Sequence, residues 1–117
     1  MTEIAQNIRK QFPHGAPEFI DVSLEEMQLY SDKNHDYAGD ENPFGNFERV
    51  AVILSLYPGL DLSDRVVVAL VYMMKQLDAV LRIKSDKTET KVESIESRLA
   101  DISVYAKIAR IMEGQSK

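Results

Sequence analysis

Residues 66–84 read VVVALVYMMKQLDAVLRIK, and the fold class turns on whether this stretch is strand or helix. Its first half is rich in β-branched residues and would suit a buried strand. The apolar pattern, however, continues through KQLDAVLRIK without a turn signal, and about 20 residues is too long for an ordinary strand. The stretch therefore predicts a helix from about Asp64 to Ser85, capped by Ser63 or Asp61. A helix apolar all round has to be buried all round. In a chain of 117 residues that predicts a subunit interface, and hence a homo-oligomer.

Working outward, Lys84 to Thr90 reads as a polar turn, and about Lys91 to Glu113 as the last helix. There Val92, Ile95, Leu99, Ile102, Ala106 and Ala109 recur at steps of three and four, which predicts one core-facing stripe. Val104, Ile108 and Ile111 lie off it and suggest a second buried surface. Upstream, Phe47 to Tyr57 predicts a helix capped by Asn46 and ended by Pro58-Gly59. Residues 35–46, HDYAGDENPFGN, combine glycine, proline and Asx residues and read as a structured loop. Ser23 followed by Glu26 forms a capping-box pattern for a helix running to about Asn34. A short helix over residues 2–12 is broken by Pro13-His14-Gly15-Ala16-Pro17. The expectation is an all-α bundle of four main helices over residues 23–113, preceded by a short N-terminal helix and linker over residues 1–22.

Composition narrows the function classes. The chain has no cysteine, which excludes disulfide frameworks, thiolate zinc sites and cysteine nucleophiles. A net charge of −5 gives no basic footprint for duplex nucleic acid. The longest apolar run, Val66 to Met74, is about half of a membrane span, and the polar N-terminus has no apolar leader core. A cytoplasmic location without membrane partners is the default expectation. Walker, GxGxxG and GxSxG motifs do not occur, and His14 and His35 lack ligand spacing.

Three sets of polar residues stand out. Asp78 lies inside the most hydrophobic helix, three residues after Lys75 and four before Arg82, so the three share one face. Either they form a structural ion-pair cluster, or the carboxylate serves a cation and the two bases serve phosphate oxygens. Glu93 and Asp101 are eight apart and, on one helix, project within roughly 80° of each other. Glu93 suits a helix N-terminus, whereas a mid-helix Asp101 needs another reason. The third set is Lys33, Asn34, Asp36 and Tyr37: a cation, an amide, a carboxylate and an aromatic suited to a nucleotide's phosphate, sugar and base, or equally to capping a helix end. Phe44 and Phe47 flank Asn46, as a stacking pair with amide readout or as a hydrophobic anchor for the loop.

Together, Lys33-Asn34-His35-Asp36-Tyr37, the Lys75 to Arg82 segment, and the run from Glu93 to Ala106, ESIESRLADISVYA, resemble the phage and bacterial nucleotide modification associated domain family. That family is related to the all-α NTP pyrophosphatases, the MazG-like proteins and dimeric dUTPases. The resemblance spans roughly residues 23–112. It implies an oligomeric helical bundle that holds Mg²⁺ and a nucleotide on acidic helix faces, with hydrolysis between phosphates. Asp78, Glu93 and Asp101 would then bind metal, and Lys33, Lys75 and Arg82 the phosphates. Asn34, Asp36, Tyr37, Asn46, Phe47, Arg98 and Tyr105 would complete the nucleotide site. The departures are specific. The enzymes carry paired carboxylates where this chain has KQLD, and Arg98 stands where they have Glu. Ser97 stands where the family often has a second Asp. A cation in place of a ligand weakens Mg²⁺ binding, so the alternative expectation is a non-catalytic binder, such as a phage protein that sequesters a nucleotide or nucleotide-derived signal.

Overall fold

The computed structural model describes residues 2–39 and 42–115; Asp40 and Glu41 of the predicted loop lie outside them. Among the described residues are five helices and no strand: α1 (Glu3–Gln11), α2 (Glu18–Tyr37), α3 (Gly45–Ser55), α4 (Arg65–Asp86) and α5 (Ile95–Gln115). The chain divides into two compact units, Met1–Lys33 and Asn34–Lys117. The division falls inside α2, eleven positions beyond the boundary expected at residue 22.

In the first unit, Thr2 caps α1, its hydroxyl accepting the Ala5 N–H at 3.2 Å. The helix stops before Pro13, and Arg9 then donates to the Gly15 carbonyl at 2.8 Å, closing a turn in which Gly15 has φ +86°. Helix α2 begins well before Ser23, because Pro17, with φ already set for a first turn, accepts from the Ile20 N–H at 3.1 Å. The expected capping box is therefore absent. Ser23 sits inside the helix, where no free N–H remains for it, and its hydroxyl donates to the Phe19 carbonyl at 2.7 Å.

In the second unit, α2 runs through the whole KNHDY segment instead of stopping at Asn34. It ends where Gly39 takes φ +73° and donates to the Asn34 carbonyl at 3.1 Å. Helix α3 starts at Gly45, one residue before the expected Asn46 cap. Asn42 does the capping work: its side-chain oxygen accepts from the Phe44 N–H at 3.1 Å, and its amide donates to Glu48 at 2.7 Å. Asp64, not Ser63 or Asp61, caps α4 by accepting the Val66 N–H at 2.8 Å. Asp61 is already engaged with the Ser63 N–H and hydroxyl, at 2.9 and 2.6 Å.

Helices α4 and α5 form an antiparallel hairpin. Arg65 reaches Gln115 at 2.9 Å and Gln76 reaches Asp101 at 3.1 Å, so sequence positions rise on one helix as they fall on the other. Between them lie the buried Ala69, Ala79, Val80, Ile83 and Ala109, and Tyr72 meets Tyr105 edge to face at 5.7 Å. The inward face of α5 differs from the expected stripe. Leu99 is 49% exposed while Arg98 is fully buried, because polar partners described below hold Arg98 inside and turn its neighbour outward. Helix α4 is likewise not buried all round within one chain, since Leu70, Leu77 and Leu81 are exposed. No helix among the described residues is long and apolar enough to cross a membrane.

The bend after α2 is testable. A Cβ on Gly39 would lie 2.9 Å from Arg82 Nη1, and the residue has positive φ. Gly39→Val is expected to cost about 1–3 kcal/mol in urea unfolding. Gly59→Ala, where a Cβ meets nothing within 4 Å, is expected to stay within about 0.5 kcal/mol of the parent.

Candidate functional site

The KNHDY segment delivers a carboxylate into the interior. Asp36 is fully buried and accepts the backbone N–H groups of Lys91, Val92 and Glu93 at 2.7, 2.8 and 3.3 Å. His35 Nδ1 lies 3.2 Å from its Oδ1, and Arg98 Nη2 lies 3.4 Å from its Oδ2. Three successive N–H groups converging on one anion make a nest; here the anion is part of the chain. Burial by itself pushes the Asp36 carboxyl up, but the N–H groups of Lys91 and Val92, then His35 and the N–H of Glu93, outweigh it and hold the group below its ordinary range. The nest also accounts for the late start of α5. Residues 91–93 spend their N–H groups on Asp36, and Ser94 caps the helix by accepting the Ser97 N–H at 3.0 Å.

Around that nest a polar network forms. Arg98 donates to Gln76 Oε1 at 2.8 Å, and Gln76 in turn donates to Asp101 at 3.1 Å. Glu93 Oε2 lies 3.5 Å from Arg98 Nη1. The Tyr37 ring carries two cations, the Arg98 guanidinium at 4.5 Å and the Lys75 ammonium at 5.0 Å from its centroid. Among the described residues, the buried Arg98 Nε and Glu93 Oε2 have no hydrogen-bond partner. Asp36, Tyr37, Lys75, Glu93 and Asp101, drawn from all three sets that the sequence singles out, thus share one network with Arg98, a site residue expected only from the resemblance.

Asp78 and Arg82 belong to a neighbouring arrangement. Arg49 of α3 grips Asp78 through Nε at 2.6 Å and Nη2 at 2.9 Å, and its Nη2 also reaches the Tyr37 carbonyl at 3.2 Å. The two-pronged contact with Asp78 raises the Arg49 pKa further above its ordinary value. Arg82 donates to the His35 carbonyl at 2.7 Å, to the Asp36 carbonyl at 2.8 Å and to Asp86 at 3.0 Å, so it caps the C-terminal end of α2. The intrahelical Lys75–Asp78–Arg82 cluster expected from spacing does not form, because α3 and the end of α2 offer both Asp78 and Arg82 closer partners.

These two pairs line an open cavity of about 790 Å³. Its polar wall is Arg49, Asp78, Arg82 and Asp86, with His35 and Asn42 from the α2–α3 connection and Ser85 and Thr88 from the end of α4. Ile53, Leu81 and Ala38 supply apolar surface. Within the size range of small-molecule sites, it brings three sequence-distant segments together.

Other expected site residues stand elsewhere. Phe47 is 71% exposed, while Asn34 donates to the Pro43 carbonyl at 2.7 Å and pins the loop. Asn46 has a buried side-chain oxygen without a partner among the described residues. Tyr105 packs on Tyr72. Lys33 is an exposed residue of the first unit. Glu93 precedes α5, so the shared helix face expected for Glu93 and Asp101 does not exist. The sequence reading missed Arg49 and Gln76 altogether. Nothing local marks them, since their partners lie 29, 22 and 25 residues away. As a Mg²⁺ site the three expected carboxylates do not fit. Asp78 is held by Arg49 and Asp101 by Gln76, while Glu93 lies 3.5 Å from Arg98 with one oxygen lacking a hydrogen-bond partner, and among the described residues no three His, Cys, Asp or Glu side chains gather to hold a metal.

The Asp36 tie has a pH signature. A carboxyl whose native pKa is lowered stabilises the fold fully above the ordinary aspartate value of about 3.9 and loses that contribution as pH falls through the lowered native value. Asp36→Ala strands a buried arginine and is expected to cost about 3–5 kcal/mol near neutral pH. Denaturant melts from pH 7 to pH 2 should also show a shallower acid limb for the variant than for the parent. No family model matches the chain, and neither a curated protein nor a solved structure matches it.

Proposed function

We propose that the chain binds a nucleotide, or a nucleotide-derived phosphorylated small molecule, in the cavity between α3, α4 and the end of α2, and does so without hydrolysing it. One observation carries the reading: Arg49, Arg82 and their carboxylate partners line a single cavity of about 790 Å³ together with His35 of the KNHDY segment. Guanidinium groups are the natural partners of phosphate oxygens, which they contact through two parallel hydrogen bonds. Arg49 is suited to this role because its side chain is 43% exposed. Its Nη1 makes no hydrogen bond among the described residues. The half-exposed Asp86 carboxylate can accept from sugar hydroxyls or base amines, and Ile53 and Leu81 offer a wall for a base. The formal charge of the four ionic side chains is balanced, which favours a ligand carrying both acceptors and donors over a bare anion.

Binding without turnover is favoured over pyrophosphohydrolysis by the state of the carboxylates. Metal-assisted attack on a phosphate needs several carboxylates free to ligate, and Asp78 and Asp101 are already engaged by Arg49 and Gln76.

Calorimetric titration with nucleoside mono-, di- and triphosphates in the presence of EDTA tests the proposal. Binding is expected without added metal, and Arg49→Gln should weaken it by about 10–100-fold, the worth of one charge-assisted contact. Absence of binding to every nucleotide sinks the reading. Pyrophosphate release with Mg²⁺ that disappears in Asp101→Asn would replace it with the hydrolytic one.

A further inference from the structure

His35 is held at two points, and its ring keeps one polar atom unused. Its carbonyl accepts from Arg82 Nη2 at 2.7 Å, which fixes the backbone. Its Nδ1 lies 3.2 Å from Asp36 Oδ1, which fixes the ring. Asp36 sits in the nest of three backbone N–H groups, which favours its ionised form. An ionised carboxylate only accepts hydrogen bonds, so Nδ1 carries the proton of that contact. The neutral ring then presents Nε2 as an acceptor. Among the described residues Nε2 has no hydrogen-bond partner. The side chain is 23% exposed, and His35 lines the same cavity as Arg49 and Arg82.

We infer that His35 is a third nitrogen base of the ligand site, and that a phosphate binds there together with a proton, which Nε2 takes up and donates to a phosphate oxygen. The inference rests on the ligand reading above and adds to it the residue and the ionic form that recognise the phosphate.

The preference is electrostatic. A neutral Nε2 offers a lone pair, which repels a phosphate oxygen, whereas a protonated one donates a charge-assisted hydrogen bond. An anion beside the ring therefore favours its charged form, and histidine is the side chain whose charge changes between about pH 5 and 8. The surrounding groups permit that change. Sharing the cavity wall are Arg49 of α3 and Arg82, Asp78 and Asp86 of α4, two charges of each sign. On its Nδ1 side the ring meets the Asp36 carboxylate, whose other oxygen lies 3.4 Å from Arg98 of α5. The segment ahead of α5 reaches this carboxylate through the backbone N–H groups of Lys91, Val92 and Glu93. A proton on Nε2 is thus supported by Asp36 through the ring and by the phosphate directly, while the charges of the empty cavity cancel.

Calorimetric titration of the full chain with nucleoside mono-, di- and triphosphates, in EDTA and in two buffers of different ionisation enthalpy, counts the protons taken up. At pH 7.5 a terminal phosphate is already mostly dianionic, its second pKa being about 6, so uptake there belongs to the protein. Net uptake is expected, with binding about 3–10-fold tighter at pH 6.5 than at pH 8, the scale of one charge pair partly open to solvent. His35→Gln should lose the uptake, and His14→Gln, an exposed position in the first unit, should keep it. The chain has two histidines, so in His14→Gln the remaining imidazole Cε1–H signal in NMR spectra follows His35 directly. Its titration midpoint should move to higher pH when nucleotide saturates the site, and this readout decides the matter even if His35→Gln fails to fold. Uptake that persists in His35→Gln overturns the inference, as does binding with an unmoved His35 midpoint, and either result leaves the nucleotide reading standing. Absence of binding to every nucleotide removes both.

Discussion

A carboxylate taken out of water is tolerated only if hydrogen bonds replace its hydration, and the second unit of this protein is organised around one such group. Asp36 leaves the last turn of α2 and is met by three consecutive backbone N–H groups from the segment ahead of α5. That contact joins parts of the chain 55 to 57 residues apart. It sets where α5 can begin, because N–H groups given to Asp36 cannot enter a helix. It also gives Arg98 an inward-facing partner, which decides the face that α5 presents to α4.

The second layer of order follows from the first. With Arg98 held inside, Tyr37 lies against its guanidinium and Gln76 bridges it to Asp101. Arg82 meanwhile caps the carbonyls that the end of α2 exposes, and Arg49 fixes α3 to α4 through Asp78. Among the described residues the largest fully buried side chains are Arg98, Ile83 and Asp36, of which only Ile83 is apolar. Uniqueness in the interior therefore comes largely from directional hydrogen bonds, and a good share of the apolar surface remains on the outside. The arginines at the edge of this interior, Arg49 and Arg82, line the cavity between α3 and α4.

The helix content was legible in the residues: apolar patterning over 66–84 too long for a strand, and turn chemistry at Pro13-Pro17 and Pro58-Gly59. The candidate site was legible in part. Asp36 and Tyr37 drew notice as polar and aromatic groups clustered in one segment, Lys75, Glu93 and Asp101 by their spacing on predicted helices, and Arg98 through the family resemblance, and they do share a network. Their partnerships were not legible. Spacing along one helix paired Asp78 with Lys75 and Arg82, while the fold pairs it with Arg49. Local rules also misplaced three caps, at Ser23, Asn46 and Ser63, since each position has a competitor nearby that the backbone path favours.

Residue order alone thus determined what is local: which segments are helical, where prolines and glycines interrupt them, and which polar groups sit in apolar company. Only the tertiary structure decided which of those groups meet, which face of α5 turns inward, and whether a carboxylate stands free or paired. The reason is physical. Helix formation and turn chemistry depend on neighbours within about four residues, whereas the long-range contacts of the network and nest close loops of 22 to 62 residues, over which the sequence carries no periodic record of the partner.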